Sequence, residues 1–235
     1  MTSIRETNIF ILTGAGISKE SGLDTFRDSD GIWSKIRLED VATPEAFLDN
    51  PAAVQEFYNS RRKNLIEEKI APNRAHFALA DLERRWPSNV TIVTQNIDNL
   101  HEMAGSKNLI HMHGELLKAR CLGCQKVSVW NEDLGPHEKC PYCDKVGFLR
   151  PHVVWFGETP LEMPRIMNLL SECGLFISIG TSGNVYPAAG FARNALNFGA
   201  TTIEINLEPS EGKNIFSQTI YGPATEKVPQ FIEKL

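Results

Sequence analysis

The sequence lacks the features that mark several large classes of protein. None of its apolar runs reaches the roughly 18 residues of a membrane-spanning helix. The apolar run at residues 9–12 is too short for a secretion signal and has no small-residue cleavage site after it. Lys and Arg number 24 against 29 Asp and Glu, and the resulting net charge of -5 repels phosphate backbones. We therefore expect a cytoplasmic monomer with neither a membrane partner nor a nucleic-acid partner.

The glycine fingerprint of ordinary dinucleotide-binding proteins is also incomplete. Gly14 and Gly16 follow a predicted strand at residues 8–13, where glycines let a backbone approach a pyrophosphate. The third glycine of the G-x-G-x-x-G pattern would stand at position 19, but the chain has Lys19 there. On these residues alone, a tight turn and a phosphate-binding loop are equally good interpretations.

Cysteine is scarce but strongly patterned. Four of the five cysteines form two C-x-x-C pairs, with 15 residues between the pairs. This spacing is typical of a zinc site, whose ligands would be Cys121, Cys124, Cys140 and Cys143. Four thiolates close a tetrahedral site and leave no position for a reactive water, so the Zn²⁺ should be structural. Redox pairs or free thiols are the alternative interpretation.

Short apolar strands alternate with helices along most of the chain. We predict strands at residues 8–13, 90–94, 109–112, 153–156, 175–179 and 202–205. Helices are predicted at residues 44–71, in two pieces broken near Asn50 and Pro51, and at 74–85, 161–172, 188–198 and 228–235. Such alternation predicts an α/β fold with a Rossmann-like, doubly wound parallel sheet.

The cysteine-rich stretch interrupts this sheet rather than following it. Residues 119–148 contain frequent Cys, Gly and Pro, as expected of a small zinc-binding insert. Residues 1–118 and 149–235 would then form the Rossmann-like domain, with a helical module at about residues 34–72.

Small and polar side chains follow four of the predicted strands. Ligands of doubly wound sheets bind at the carboxyl ends of the strands, so these residues are candidates: Gln95, Asn96, Asp98, His111, His113, Gly180, Thr181, Ser182, Asn206, Leu207 and Glu208. Helix capping is the alternative for Asn and Asp. A histidine is the usual general base, but the residues alone do not choose between His111 and His113.

The order of these motifs resembles that of the sirtuin family through essentially the whole chain. The matching motifs are Gly14-Ala15-Gly16-Ile17-Ser18, Ser21-Gly22, Phe26-Arg27, Gln95-Asn96-Ile97-Asp98, His113-Gly114, the cysteine quartet, Phe156-Gly157-Glu158, Gly180-Thr181-Ser182 and Asn206-Leu207-Glu208. The resemblance implies that NAD is a co-substrate and that acyl-lysine-bearing proteins are the partners. It further implies that the acyl group is transferred to ADP-ribose, with release of nicotinamide and O-acyl-ADP-ribose.

The resemblance also implies a role for each matching residue. His113 would be the general base, and Val154, Trp155 and Phe156 would flank the acyl-lysine channel. The implied cofactor-binding residues are Gly14, Ala15, Gly16, Ser18, Thr25, Phe26, Arg27, Trp33, Gln95, Asn96, Ile97, Asp98, His113, Gly180, Thr181, Ser182, Asn206, Leu207, Glu208 and Ala224. Thr25 stands where many members of the family carry Asp.

One predicted helix indicates which acyl group is removed. Its spacing places Val54, Tyr58, Arg61 and Leu65 on one face, so Arg61 lies within an otherwise apolar stripe. The arginine could simply extend its charged end into water, or it could bind a carboxylate together with Tyr58. The Tyr58 and Arg61 pair resembles the sirtuin subgroup that removes succinyl, malonyl and glutaryl groups, and Ala42 matches its small pocket residue. We therefore expect desuccinylase as well as deacetylase activity.

Two other functions fit parts of the sequence. A mono-ADP-ribosyltransferase would use the same cofactor and fold, and the sequence separates it poorly from a deacylase. A non-enzymatic zinc-ribbon binding module would explain the cysteines, but the acidic net charge and His113 both argue against it.

Overall fold

The computed structural model describes residues 7–23, 37–68, 70–86, 89–210 and 215–235. The strands are β1 (Ile9–Thr13), β2 (Val90–Thr94), β3 (Leu109–His111), β4 (Gly114–Cys121), β5 (Val127–Val129), β6 (Leu149–Val153), β7 (Leu175–Ile179), β8 (Thr201–Asn206) and β9 (Gln218–Tyr221). The α-helices in these ranges are α1 (Leu38–Val41), α2 (Pro44–Asp49), α3 (Pro51–Glu67), α4 (Arg74–Arg85), α5 (Leu100–Ala104), α6 (Met163–Glu172), α7 (Phe191–Asn197) and α8 (Ala224–Ile232). Among the helices described, none is long and apolar enough to cross a membrane.

Six strands form one parallel sheet in the order β3-β2-β1-β7-β8-β9. Every residue of β1, β2 and β7 is buried, which explains why all but Ser178 of these strands are apolar or β-branched. The predicted Rossmann-like sheet is confirmed. Because the strand order reverses between β1 and β7, a crevice for a ligand is expected at the carboxyl ends of these two strands.

Helices cover both faces of this sheet. On one face, α4 and α8 contribute Leu79, Leu82 and Val228 to a core that includes Ile11 and Ile177. On the other face, α6 and α7 pack a second core against Phe10 and Phe176, whose rings lie 5.6 Å apart. The two cores fix the positions of the loops that leave β1, β2 and β7.

A second sheet of three antiparallel strands, in the order β5-β4-β6, carries the cysteine-rich stretch. Arg62 of α3, only 1% exposed, connects the helical module to it. Its Nε donates to the carbonyl of Leu116 at 3.1 Å, and its Nη1 donates to the carbonyl of Glu132 at 3.2 Å. The sequence pattern did not distinguish this buried arginine, because the adjacent Arg61 is the same residue type on the same helix.

The predicted break in the helical module lies where the sequence places it. Asn50 ends α2, and its side chain then accepts the Ala53 N–H at 3.2 Å to cap α3, with Pro51 as the first helical residue. These are favourable residues for the two positions. The helix ends at Glu67, a turn earlier than predicted.

Other predicted boundaries were wrong. The strand expected at residues 153–156 is instead Leu149–Val153, because the residues after Val153 leave the sheet. The last helix begins at Ala224, four residues before its predicted start, and contains Pro229 within its length. The short strand Gln218–Tyr221 was missed because most of its side chains are exposed and it has no apolar run.

Candidate functional site

The loop after β1 lies directly against the loop after β7. The Gly16 N–H donates to the carbonyl of Gly180 at 2.9 Å, and the Gly14 N–H donates to the carbonyl of Ile179 at 3.0 Å. A Cβ added to Gly16 would lie 2.7 Å from the Gly180 Cα, and one added to Gly14 would lie 2.8 Å from the Gly180 oxygen. Gly180 itself has a φ of 62°, in the left-handed region. The glycines therefore allow close contact between two backbones of the chain itself.

Two short 3-10 turns, Ala15–Ile17 and Lys19–Ser21, follow this contact in place of the α-helix expected after a phosphate loop. The amides of Ile17 and Ser18 donate to the carbonyls of Gly14 and Ala15, both at 3.1 Å. The amide of Ala15 belongs to none of these bonds, and it lies at the carboxyl end of β1. This loop can thus offer a backbone donor to an anion at the crevice.

Beside the loop, Ser18, Asn96 and Asp98 form a buried hydrogen-bond network. Ser18 Oγ donates to Asp98 Oδ2 at 3.0 Å and accepts from Asn96 Nδ2 at 3.1 Å. Asp98 Oδ1 also accepts the N–H of Leu100, the first residue of α5, at 3.0 Å. Burial raises the pKa of Asp98 above its usual value. The network holds the loops after β1 and β2 in fixed relative positions.

Two histidines that the sequence did not single out lie behind this network. The rings of His76 and His101 are 5.0 Å apart, and His101 Nε2 is 3.0 Å from Thr13 Oγ1, which donates to Thr94 Oγ1 at 2.9 Å. Burial lowers the pKa of His76 to about 4 and lowers that of His101 well below 6.5. Both are therefore neutral at pH 7, and they support the carboxyl ends of β1 and β2.

The structure distinguishes His111, the last residue of β3, from His113 in the loop that follows. His113 Nδ1 donates to the Gln95 carbonyl at 3.1 Å, which leaves Nε2 to accept a proton. His111 Nδ1 is bound in the same way to the Asn96 carbonyl at 3.1 Å, but its Nε2 also contacts Glu102 Oε1 at 2.7 Å. Burial lowers the pKa of His113. Burial also acts to lower the pKa of His111, but the hydrogen bond and charge of Glu102, with smaller contributions from Glu115 and the Asn96 carbonyl, together raise it above its usual value. His113 therefore has the properties of a general base.

The segment 154–156 joins His113 to the helical module. The Val154 N–H donates to the His113 carbonyl at 2.8 Å, and the Phe156 N–H donates to the Ala42 carbonyl at 2.9 Å. Trp155 lies between them and is 3% exposed, whereas Phe156 is 47% exposed. These hydrogen bonds explain why the chain leaves the sheet after Val153.

Tyr58 lies on the side of α3 that packs against this segment, and Arg61 follows it about one helical turn later. Trp155 Nε1 donates to Tyr58 Oη at 3.0 Å, and the charge of Arg61 acts on the Tyr58 hydroxyl. Arg61 is half-buried, with its Cζ 4.9 Å from the centre of the Phe57 ring. The predicted face is confirmed in its packing, since Tyr58 shares one core with Trp155 and Ala42.

The other end of the crevice is formed by the loops after β7 and β8. Asn206 Nδ2 donates to the Thr181 carbonyl at 2.7 Å, and the Asn206 Oδ1 accepts the N–H of exposed Leu207 at 3.0 Å. Glu208 is exposed, and Ser182 is half-buried. Ala224 is the first residue of α8, and Thr225 is the second. The N–H and the hydroxyl of Thr225 each donate to one carboxylate oxygen of Glu20, which connects α8 to the turns after the glycine loop.

The four paired cysteines form one cluster, with all four sulfurs within 4.8 Å of one another. Cys121 and Cys143 Sγ atoms are 3.7 Å apart, as are those of Cys124 and Cys140. A tetrahedral site with Zn–S bonds of about 2.3 Å separates its sulfurs by about 3.8 Å. The four thiols therefore suit a structural Zn²⁺, as predicted.

Four of the predicted cofactor-binding residues, Thr25, Phe26, Arg27 and Trp33, lie outside the described residues. The remaining candidates from β1, β2, β3, β7 and β8 all lie at the carboxyl ends of those strands, along one edge of the sheet.

Comparisons with known proteins agree with this arrangement. A profile described as "Sir2 family" matches residues 14–187. An NAD-dependent protein deacylase of Pasteurella multocida (strain Pm70) is 60% identical over 228 residues, covering 97% of this chain and 97% of that protein.

Solved structures extend the comparison to bound molecules. A Sir2 homologue in complex with NAD has a TM-score of 0.87 at 37% identity, covering 98% of this chain and 90% of its own. A Sir2 variant solved with a deacetylated peptide and 3'-O-acetyl ADP ribose has a TM-score of 0.82 at 30% identity, covering 97% of this chain and 94% of its own.

Proposed function

The chain belongs to the Sir2 family and is an NAD-dependent protein deacylase, and we propose that it removes succinyl as well as acetyl groups from lysine side chains. The segment 154–156 carries this proposal. Its three consecutive residues contact His113, Tyr58 and Ala42 in turn. The proposed general base and the tyrosine of the proposed carboxylate-binding pair are thereby attached to one short stretch of backbone.

Tyr58 and Arg61 have the chemistry needed to bind a carboxylate. Burial raises the pKa of Tyr58 to about 12, so its hydroxyl remains a hydrogen-bond donor at neutral pH. Arg61 remains positively charged and can donate two parallel hydrogen bonds to one carboxylate. The methyl side chain of buried Ala42 occupies little volume beside them. Together these features fit the far end of a succinyl group.

His113 is the residue that we assign to proton transfer. When bound, NAD supplies the ribose that accepts the acyl group, and nicotinamide is the leaving group. The hydrogen bond from His113 Nδ1 to the Gln95 carbonyl leaves Nε2 as the proton acceptor. The lowered pKa of His113 keeps that nitrogen unprotonated at pH 7. We propose O-acyl-ADP-ribose as the product, in line with the acetyl ADP ribose bound to the Sir2 neighbour.

The remaining assignments are also proposals. We place NAD in the crevice along the carboxyl edge of the sheet, with Val154, Trp155 and Phe156 beside the acyl-lysine. The zinc-binding insert is assigned to residues 119–148 and the Rossmann-like domain to residues 1–118 and 149–235. A reduced cysteine quartet is typical of the cytoplasm, and we propose that the protein acts there as a monomer. The cofactor residues proposed within the described ranges are Gly14, Ala15, Gly16, Ser18, Gln95, Asn96, Ile97, Asp98, His113, Gly180, Thr181, Ser182, Asn206, Leu207, Glu208 and Ala224.

The variant Arg61→Met tests the acyl specificity. Losing a charge-assisted hydrogen bond costs roughly 1.5–3 kcal/mol, so kcat/KM for a succinyl-lysine peptide should fall about 10- to 150-fold. The value for the matching acetyl-lysine peptide should change little. Lys63→Met is the matched control, because Lys63 is an exposed cation on the same helix. An equal loss with both peptides would contradict the carboxylate-binding role.

Mass spectrometry of the products tests the reaction itself. A deacylase yields free lysine and O-acyl-ADP-ribose from an acyl-lysine peptide and NAD. Protein that gains the mass of ADP-ribose, with the acyl group unchanged, would show instead that the chain is a mono-ADP-ribosyltransferase.

A further inference from the structure

The hydrogen bond between Trp155 and Tyr58 has a fixed direction. An indole N–H can donate but cannot accept, so the Tyr58 oxygen must be the acceptor across the 3.0 Å that separate the two atoms. Within the described part of the chain, Tyr58 Oη makes no other hydrogen bond. Because a phenol proton lies close to the ring plane, on the side away from the accepted bond, it points away from Trp155. The tryptophan therefore determines where the Tyr58 hydroxyl can donate.

Trp155 is itself held from three sides. Its backbone N–H donates to Glu158 Oε2 at 2.8 Å, and Arg150 donates to both oxygens of that carboxylate, at 2.7 and 3.0 Å. The guanidinium carbon of Arg150 also lies 3.3 Å from the centre of the Trp155 ring, and Phe47 packs at 5.2 Å. The ring therefore has little freedom to turn its N–H away from Tyr58.

Burial makes this arrangement effective. Tyr58 is 2% exposed, Trp155 3% and Arg150 4%, so water does not compete well for the Tyr58 oxygen. Arg61 lies one helical turn from Tyr58, and its positive charge acts on the same hydroxyl. A carboxylate that reaches Arg61 would thus meet a phenol proton that is already oriented.

We propose that Trp155 is a positioning residue for acyl-group selection, whose indole N–H orients the Tyr58 hydroxyl to donate to the terminal carboxylate of an acidic acyl chain. This role rests on the proposed desuccinylase activity. It differs from that of a channel wall, because a wall would contact acetyl and succinyl chains alike.

The variant Trp155→Phe tests the role, since it keeps an aromatic ring and removes the N–H. We expect the KM for a succinyl-lysine peptide to rise roughly 2- to 10-fold, as for the loss of one hydrogen bond. Trp155 also lies beside the acyl-lysine, and any effect of the changed ring on that channel applies to both peptides. The test is therefore the ratio of the succinyl KM to the acetyl KM, which should rise by this factor. Trp130→Phe is the matched control, because the Trp130 indole donates to the Asp133 carbonyl in the insert, away from Tyr58.

The Tyr58→Phe background separates this inference from the proposed function. If Trp155 acts through the Tyr58 hydroxyl, Trp155→Phe should have no further effect on the succinyl KM in that background. Equal losses with both peptides, or a full additional loss in the double variant, would overturn the positioning role. If Tyr58→Phe and Arg61→Met leave succinyl selectivity unchanged, the carboxylate pocket itself fails.

Glu158→Gln provides a second route should Trp155→Phe fold poorly. It removes the negative charge that Arg150 binds, so it weakens the support of Trp155 while retaining the indole N–H. We expect a smaller rise in the succinyl KM, again absent in the Tyr58→Phe background. A rise that persists unchanged in that background would count against the proposal.

Discussion

The edge of the large sheet, to which we assign NAD binding, and the face of α3, to which we assign acyl selection, are built by different means. At the sheet edge, the backbones of Gly14, Gly16 and Gly180 touch, and buried polar side chains fix the loops around them. On α3, the proposed chemistry belongs to two side chains, buried Tyr58 and half-buried Arg61, and the backbone only carries them. The contact of glycines tolerates no added atom, whereas a side chain on a helix can be exchanged. If the two assignments hold, we expect the reaction and the choice of acyl group to be separable by substitution.

The largest expected effect is the loss of catalysis with both acyl groups in His113→Tyr. Removal of a general base costs on the order of 10²- to 10⁴-fold in rate. Nicotinamide release from NAD with acetyl and succinyl peptides measures it, while zinc content should stay at one ion per chain. Retained turnover with either peptide would show that another group accepts the proton.

Loss of the zinc ion should affect α3 more than the sheet edge. In Cys143→Ser we expect zinc content, measured by atomic absorption, to fall and the thermal midpoint to drop, because the metal stabilises a small sheet with little core of its own. Arg62 ties α3 to that sheet, so succinyl selectivity should decline with it. Cys173→Ala, which changes a cysteine outside the quartet, should keep its zinc.

A smaller effect, on the sheet edge rather than on α3, is expected for Gly16→Ala. The added Cβ would lie 2.7 Å from the Gly180 Cα, and such overpacking typically costs about 1–3 kcal/mol. NAD binding, measured by calorimetry, should weaken, while the ratio of succinyl to acetyl turnover stays constant. In Gly190→Ala, the new Cβ has its nearest neighbour at 3.9 Å, so this control should bind NAD normally. A changed acyl ratio in Gly16→Ala would contradict the separation of the two regions.

The smallest effect concerns pH. A general base works when neutral, that is, above its pKa, and burial lowers the pKa of His113 below the usual 6.5. The acidic fall in kcat/KM should therefore lie below pH 6.5. Tyr58, with a pKa of about 12, does not change charge in this range. The acidic limbs of the pH profiles of kcat/KM should coincide for acetyl and succinyl peptides. An acidic limb centred above pH 6.5 would be inconsistent with His113 as the base.

Sequence reasoning worked where one physical demand dominates a segment. Strands buried on both faces need continuous apolar residues, so Val90–Thr94 and Leu175–Ile179 were predicted with their exact ends. A helix start needs a capping side chain and tolerates proline, which located the break at Asn50. Four thiolates around one metal impose a spacing that the cysteines display.

Prediction failed where the structure of a segment depends on contacts with residues that are distant in the sequence. No feature of the local sequence shows that Val154 pairs with His113 or that Phe156 pairs with Ala42. Residues 153–156 were therefore predicted as a strand. His76 and His101 come from different helices, and their proximity depends on the packing of α4 against α5. The glycines were compatible with a tight turn and with a phosphate-binding loop, and the backbone contact with Gly180 that requires them was not foreseen.

The pairing of β1 with β7 has a consequence for the order of folding. Ile9 pairs with Leu175, so the middle of the sheet joins a strand near the start of the chain to one beyond the zinc insert. Such long-range pairing closes slowly. On a ribosome, β1 must wait until β7 has emerged, whereas the two cysteine pairs can meet much sooner. The apolar surface of β1 and β2 is exposed during that interval, which makes the nascent chain a candidate for chaperone binding.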